Sequence, residues 1–236
     1  MKRFWDNAAA VPEAGGGYAV LLDGRPVRLP GGAALAVATL PLAEAIAEEW
    51  SRAGGAKGGE MGFGDVPLTR LVGTAQERIA PDPLPTIAAI AKYGETDLLC
   101  YRAEDSRLAA EQAAQWGPLV DWSALQLDAP LRITTGLMPV PQDAQALAAL
   151  RRAVAAQAPV ALSALGVLVP AFGSLVLGLA VARGRLAAEA AHELSILDER
   201  FQERFWGVDP HAAARRERTG AEIALAARLL ALAGAG

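Results

Sequence analysis

The alternation of apolar runs and turn residues near the N-terminus predicts a β-hairpin. Residues Tyr18–Leu22 form an apolar run suited to a strand, and a second extended run follows at 25–29. Asp23 and Gly24 lie between the two runs, and an Asp-Gly pair adopts the positive φ angles that a two-residue hairpin turn requires. After the hairpin, apolar residues at helical spacing predict a helix over residues 41–52.

Beyond residue 85 the apolar residues recur at the spacing of helices almost throughout. Alanine and leucine dominate this part of the chain, and both residues favour helices. Helices are therefore expected over residues 86–93, 106–127, 143–157, 160–169, 171–182, 186–206 and 210–232.

A cluster of prolines separates the two patterns. Three prolines within residues 81–85 disfavour any regular element that runs through them, so a linker is predicted at residues 80–85. We therefore predict an α+β fold with two domains. A small N-terminal β-rich domain would cover residues 1–80, and a larger, mostly α-helical domain would cover residues 81–236.

One stretch of the helical part is long and uncharged enough to suggest a membrane span. Residues 153–182 contain no charged side chain, and a span of about 20 apolar residues crosses a bilayer. Pro170, however, would lie in the middle of a continuous spanning helix and would break it. Two helices that meet near Pro170 are expected instead, and a membrane-associated helical protein stays as an alternative.

The charge balance argues against nucleic acid as a partner. The chain carries 22 basic and 26 acidic residues, a formal net charge of −4, and the two signs are mixed along the sequence. Such a mixture creates no basic field that could hold a phosphate backbone. The N-terminus lacks the apolar segment of a secretion signal, so a cytoplasmic location is expected.

The chain lacks the familiar motifs of catalysis and of nucleotide or metal binding. No glycine-rich phosphate-binding loop with its lysine occurs, nor does the strained serine elbow of hydrolases. His192 and Glu193 begin a pattern of zinc proteases, but Ile196 stands where the second histidine ligand would be. The single cysteine, Cys100, lies in an apolar segment where a buried side chain is expected. We predict no catalytic residue, cofactor, metal or nucleotide site; an enzyme with a dispersed, motif-free active site stays as an alternative.

The predicted helix over 186–206 combines an apolar stripe with acidic residues. At 100° per residue, the stripe consists of Leu186, Ala190, Leu194, Leu197, Phe201 and Phe205. Asp198 falls inside this stripe, where a desolvated carboxylate needs a donor. The donor could belong to an internal salt bridge, with Arg102 or Arg132, or to a binding partner.

The other side of the same helix is expected to face solvent. Glu199, Glu203 and His192 lie there beside Ile196, as solvated charges usually do. Trp206 lies between the two sides, near the end of the helix. A ring of this size is expected to be part of the core, with an interface anchor as the alternative.

The same helix carries a resemblance to a known family. The run at 193–199, then Phe201 and Gln202, then Trp206 and Gly207, resembles the signature of the assembly chaperones of the F-type ATP synthase alpha subunit. Further similar blocks occur at 67–69, at 95–103, and at Trp116, Pro118, Leu119, Asp121 and Trp122. The similar pieces follow one another in the expected order along most of the chain.

The resemblance implies a function as well as a fold. It implies a bacterial chaperone, not an enzyme, with a small β-rich domain and a larger helical one. Such a protein would bind the unassembled alpha subunit and prevent its aggregation before ring assembly, without a nucleotide and without membrane insertion. The partner-binding residues that it implies are Glu193, Asp198, Glu199, Gln202 and Trp206. Of these, Asp198 or Glu199 is expected to matter most.

Overall fold

The structure, a computed structural model, describes residues 1–234; residues 235 and 236, the end of the predicted helical domain, lie outside it. The strands are β1 (Ala8–Pro12), β2 (Tyr18–Leu22), β3 (Arg25–Pro26), β4 (Ala36–Val37), β5 (Tyr101–Arg102) and β6 (Thr134–Thr135). The helices are α1 (Leu40–Arg52), α2 (Pro67–Thr74), α3 (Leu84–Ala91), α4 (Ser106–Leu127), α5 (Ala144–Ala155), α6 (Pro159–Phe172), α7 (Leu175–Ala182), α8 (Ala188–Ser195), α9 (Leu197–Trp206) and α10 (Pro210–Leu232). A small strand region precedes a larger helical portion, which confirms the predicted α+β class.

The predicted hairpin is present in the N-terminal sheet. Strands β2 and β3 pair antiparallel, and Asp23 and Gly24 both have positive φ angles, 48° and 79°. The carboxylate of Asp23 also accepts a hydrogen bond of 2.9 Å from the backbone N–H of Asn7. The turn residue therefore holds the chain that leads into β1 as well.

Strand β1 was not expected from the sequence pattern. It pairs antiparallel with β2, with Ala10 opposite Val20. Three of its five residues are alanine, which strands disfavour, so its local sequence carries no strand signal. The neighbouring β2 supplies the hydrogen bonds that make it a strand.

The chain comprises two compact units, and each unit is built from segments that are not consecutive in the sequence. The first unit consists of Met1–Pro83, Ala158–Ala164 and the chain from Arg228 onward. Its separate pieces are joined by hydrogen bonds from Ser163 Oγ to the carbonyl oxygen of Leu71, 2.8 Å, and from Thr39 Oγ1 to that of Leu232, 2.5 Å.

The core of the first unit contains two tryptophans that also carry hydrogen bonds. Trp5 Nε1 donates to the carbonyl oxygen of Trp50, 2.9 Å, and Trp50 Nε1 donates to Thr69 Oγ1, 3.0 Å. The Glu49 carboxylate accepts from the backbone N–H of Leu68, 2.7 Å, at the start of α2. A helix start leaves N–H groups without partners, and this carboxylate satisfies two of them, because it also accepts from the backbone N–H of Thr69, 3.1 Å.

The second unit consists of Leu84–Gln157 and Leu165–Ala227. Its core contains a carboxylate, Asp97, that is fully buried. Asp97 accepts hydrogen bonds from Ser174 Oγ, 2.7 Å, and from the backbone N–H of Val176, 3.0 Å. Burial raises the pKa of Asp97, whereas these hydrogen bonds lower it.

The uncharged stretch forms two helices, α6 and α7, as predicted, but the break lies at Gly173 and not at Pro170. Pro170 is accommodated within α6, where it removes one backbone hydrogen bond without ending the helix. Gly173 ends α6 because it adopts a positive φ of 62°, which glycine tolerates best. Ser174 then caps α7 by accepting from the backbone N–H of Leu177, 3.0 Å.

The division into a domain at 1–80 and a domain at 81–236 stays a prediction, and limited proteolysis tests it. A low-specificity protease should cleave first within the predicted linker, residues 80–85, of which residues 80–83 lie between α2 and α3 and residue 84 begins α3. The two fragments should then co-elute in gel filtration, because Ser163 and Leu232 are held to the N-terminal fragment by the bonds described above. Cleavage confined to the glycine-rich segment 54–59, with residues 80–85 resistant, would contradict the predicted boundary.

Candidate functional site

The predicted continuous helix over 186–206 is wrong, since the structure has two helices there. Helix α8 ends at Ser195 and α9 begins at Leu197; Ile196 lies between them with φ −107° and ψ 16°. In a continuous helix the backbone N–H of Asp198 would bond to the carbonyl of Leu194. That carbonyl instead accepts a 3.0 Å hydrogen bond from Nε1 of Trp116, a side chain of α4. A tertiary contact therefore replaces the helical one.

The break changes which residues of the predicted stripe are buried. Leu197 and Phe201 are buried as expected, but Ala190 and Phe205 are exposed. The stripe was predicted for one straight helix. Because the helix breaks, the residues at the two ends of the stripe are not buried with those in its middle. The Arg107 guanidinium covers the Phe205 ring, with Cζ 5.0 Å from the ring centroid.

Asp198 lies in the first turn of α9 and is exposed to solvent. Its Oδ1 accepts a 2.7 Å hydrogen bond from Nε2 of Gln112, a side chain only 1% exposed. Gln112 Oε1 in turn accepts from the backbone N–H of Ala103, 2.7 Å, so the amide cannot turn over without losing a bond. The carboxylate is therefore held at one oxygen from inside the protein and open to solvent around it.

The internal salt bridge of Asp198, one of the two alternatives left open by the sequence, is absent among the described residues. The Arg102 guanidinium donates to the carbonyl oxygens of Leu99, 2.8 Å, and Tyr101, 2.7 Å. Arg132 lies near Asp143, 3.9 Å away. The premise that Asp198 is desolvated was wrong, because the break at Ile196 moves the carboxylate out of the buried stripe.

Arginines pair with the other carboxylates of this segment. Glu193 pairs with Arg200, and Arg216 of α10 lies 3.2 Å from Glu199 and 2.5 Å from Glu203. Within residues 193–203 as the structure describes them, Asp198 is the carboxylate whose partner is a neutral amide instead of an arginine. Its carboxylate is thus the one in this segment that forms no direct ion pair among the described residues.

The end of α9 is apolar and exposed. Trp206 is 83% exposed, so its expected place in the core is wrong, and the interface anchor is the alternative that fits. Phe205, which the predicted stripe placed on the buried side, is exposed as well, and so is Val208, which the sequence did not single out. At helical spacing, Asp198, Gln202 and Phe205 lie on one side of α9, and Gln202 is also exposed.

The structure thus brings together part of the predicted set. Asp198, Gln202 and Trp206 lie on the exposed surface of α9, while Glu199 faces Arg216. Glu193 belongs to the other helix, α8, and is paired there. We call the exposed surface formed by Asp198, Gln202, Phe205 and Trp206 the α9 surface.

Burial determines the chemistry of the single cysteine, Cys100. Burial raises the pKa of the Cys100 thiol to about 12, and the side chain is buried as predicted. A thiol with that pKa supplies almost no thiolate for nucleophilic attack near neutral pH. Among residues 1–234, no three His, Cys, Asp or Glu side chains are grouped so that they could hold a metal ion.

The uncharged stretch that suggested a membrane span does not form one long helix. None of the helices described within residues 1–234 combines the length and the apolar character that crossing a membrane requires.

Comparisons with known proteins all find similarity to Atp12 or to proteins described as chaperones. The family model described as ATP12 chaperone protein matches residues 2–124. The crystal structure of Atp12 from Paracoccus denitrificans is 45% identical, covers 98% of each chain and superposes with a TM-score of 0.91. An aspartate-to-lysine variant of the same protein matches equally well, with the same identity and TM-score. A candidate chaperone from Agrobacterium tumefaciens is 33% identical over 97% of this chain and 85% of its own, with a TM-score of 0.88.

The role of Trp116 in holding the break between α8 and α9 can be tested by Trp116→Phe. The substitution removes the Nε1–H donor and leaves the Leu194 carbonyl short of a partner, which costs about 1–3 kcal/mol. We expect a lower melting temperature and amide exchange at residues 195–199 that differs from that of the parent. Trp122→Phe on the same helix is the control and should leave exchange at 195–199 unchanged. Parent-like exchange there in Trp116→Phe would show that local sequence alone makes the break.

Proposed function

The chain belongs to the ATP12 chaperone family, and from that premise we propose that it binds the unassembled alpha subunit of the F-type ATP synthase and prevents its aggregation before ring assembly. The family match confirms the resemblance found in the sequence. A subunit surface that will later be buried in a ring is apolar beforehand and tends to aggregate. A chaperone that covers this surface reversibly would keep the subunit competent for assembly.

The observation that carries the proposal is the position of Asp198. Its carboxylate is exposed, held by the buried Gln112, and paired with no arginine among the described residues. Exposed apolar side chains, Phe205 and Trp206, follow it along α9. A surface of this kind suits a client that presents a basic side chain next to apolar ones.

The existing ion pairs indicate which of the proposed contact residues a basic group of the client could reach most easily. Glu193 and Glu199 already have arginine partners, so a basic group of the client would have to displace Arg200 or Arg216 to reach them. Asp198 needs no such exchange. We therefore propose that Asp198 makes the main charged contact, that Gln202 and Trp206 lie beside it in the interface, and that Glu199 and Glu193 contribute less.

Binding of this kind uses no nucleotide, cofactor or catalytic residue, and we propose that the protein acts in the cytoplasm by covering its client. For the alternative of an enzyme with a dispersed active site, the one cysteine of the chain, Cys100, is buried and therefore a poor nucleophile.

A comparison of three carboxylates tests the proposal. Asp198→Asn, Glu199→Gln and Glu189→Gln are titrated with purified alpha subunit in the absence of nucleotide. Loss of a carboxylate that meets a desolvated donor costs about 2–5 kcal/mol, so Asp198→Asn should weaken binding on the order of a hundredfold. Glu199→Gln should weaken it less, and Glu189→Gln, on the exposed side of α8, should bind like the parent.

Thermal stability is the control for this comparison. Asparagine keeps an oxygen that can accept from Gln112, so Asp198→Asn should melt like the parent, within about 0.5 kcal/mol of stability. If all three variants bind the alpha subunit like the parent, the α9 surface is not the client site. If the parent itself does not bind the alpha subunit, the proposed client is wrong.

A further inference from the structure

A loop of the second unit, residues 132–142, is closed at its base and apolar at its tip. Gln142 closes the base by two hydrogen bonds with Arg132: the backbone N–H of Arg132 donates to Gln142 Oε1, 2.7 Å, and Gln142 Nε2 donates to the Arg132 carbonyl oxygen, 2.9 Å. We call this segment the apolar loop.

The tip of the apolar loop exposes two large side chains. Leu137 is 95% exposed and Met138 is 78% exposed. Gly136, with a positive φ of 81°, makes the turn that leads to them. Side chains of this size contribute no burial to this chain's own fold, and contiguous exposed apolar residues are typical of interaction sites.

The tip is nevertheless held in place. Gly136 donates its backbone N–H to the carbonyl oxygen of Arg102, 2.9 Å, and β6 pairs with β5 just before it. The hydroxyl of Thr134 donates to the carbonyl oxygen of Met138, 3.3 Å. An ordered loop loses less conformational entropy on binding than a disordered one, so these bonds prepare the tip for contact.

Two consecutive residues, Arg102 and Ala103, hydrogen-bond both to the apolar loop and to the side chain that holds Asp198. The carbonyl of Arg102 accepts from the loop, and the next backbone N–H, that of Ala103, donates to Gln112, which in turn donates to Asp198. Two short hydrogen bonds and one glutamine side chain thus separate the strand that holds the loop from the proposed client-binding carboxylate. Glu104, which follows Ala103 and is exposed, adds a second acidic side chain at this place.

We propose that Leu137 and Met138 contact an apolar patch of the same client whose basic side chain pairs with Asp198. This inference rests on the proposed function and extends the α9 surface to a second, apolar contact. The matching partner surface is apolar and bordered by a basic group. A second copy of this chain fits less well, because a symmetric contact would bring the carboxylates of Asp198 and Glu104 from both copies into one interface.

The test is the double variant Leu137→Ser with Met138→Ser, titrated with the same alpha subunit as above. Removing two buried apolar contacts should weaken binding roughly tenfold or more. Because both side chains are exposed in the free protein, the melting temperature should be unchanged. Leu125→Ser is the matched control, since Leu125 is also a large exposed apolar residue, 79% exposed, on α4 and outside the loop.

The possible results separate the two proposals. If Asp198→Asn weakens binding but the loop variant binds like the parent, this inference is overturned and the proposed function stands. Equal weakening by Leu125→Ser would also overturn it, because the effect would not be specific to the loop. The parent could instead self-associate in sedimentation while the loop variant is monomeric. That result would overturn the inference, because the loop would then bind a second copy of this chain and not the client. Failure of the parent to bind the alpha subunit would overturn both proposals.

Discussion

Two polar side chains of α4, Gln112 and Trp116, determine where the candidate site lies. Trp116 Nε1 donates a hydrogen bond to the carbonyl oxygen of Leu194, in place of the backbone N–H of a continuous helix. The helix can therefore break at Ile196. Gln112, one turn earlier on the same face, holds the carboxylate that the break turns outward. Both side chains are buried, so each bond is made where a lost partner is costly. The start of α4 is itself capped by Asp105, whose pKa hydrogen bonds from Arg107 lower to about 2.

The ion pairs around α9 contribute little to stability, and under the proposed function they affect which carboxylate a partner can reach. Exposed pairs such as Glu193 with Arg200 and Glu199 with Arg216 contribute little to folding, of the order of 0–1 kcal/mol each. They leave Asp198 as the carboxylate of this segment that forms no direct ion pair among the described residues. If the proposed function holds, a positively charged group of a partner could pair with Asp198 without displacing an arginine. With the apolar tip at Leu137 nearby, the surface combines one charge with apolar contacts.

Local signals explain what could be predicted from the sequence. The Asp23-Gly24 turn, the helical periodicity beyond residue 85 and the apolar surroundings of Cys100 are all encoded within short segments, and the structure confirms them. Tertiary contacts explain the errors. The alanine-rich segment of β1 is a strand because β2 pairs with it. The predicted helix over 186–206 is interrupted where Trp116, far away in sequence, donates to a backbone carbonyl. The candidate residues came from the family resemblance, and a straight-helix projection misplaced two of them, Asp198 and Trp206, because it did not include that break. The apolar loop has no periodic pattern, and only its exposure in the structure marks it.

The central claim, that this chain holds an unassembled alpha subunit by covering its surface, is tested most directly by aggregation during refolding. Alpha subunit is diluted from denaturant into buffer without nucleotide, and light scattering is followed with equimolar chaperone or with an inert protein of similar size. The account predicts that the chaperone suppresses scattering without ATP, while the inert protein does not. Undiminished scattering, or protection that appears only when ATP is added, would contradict it.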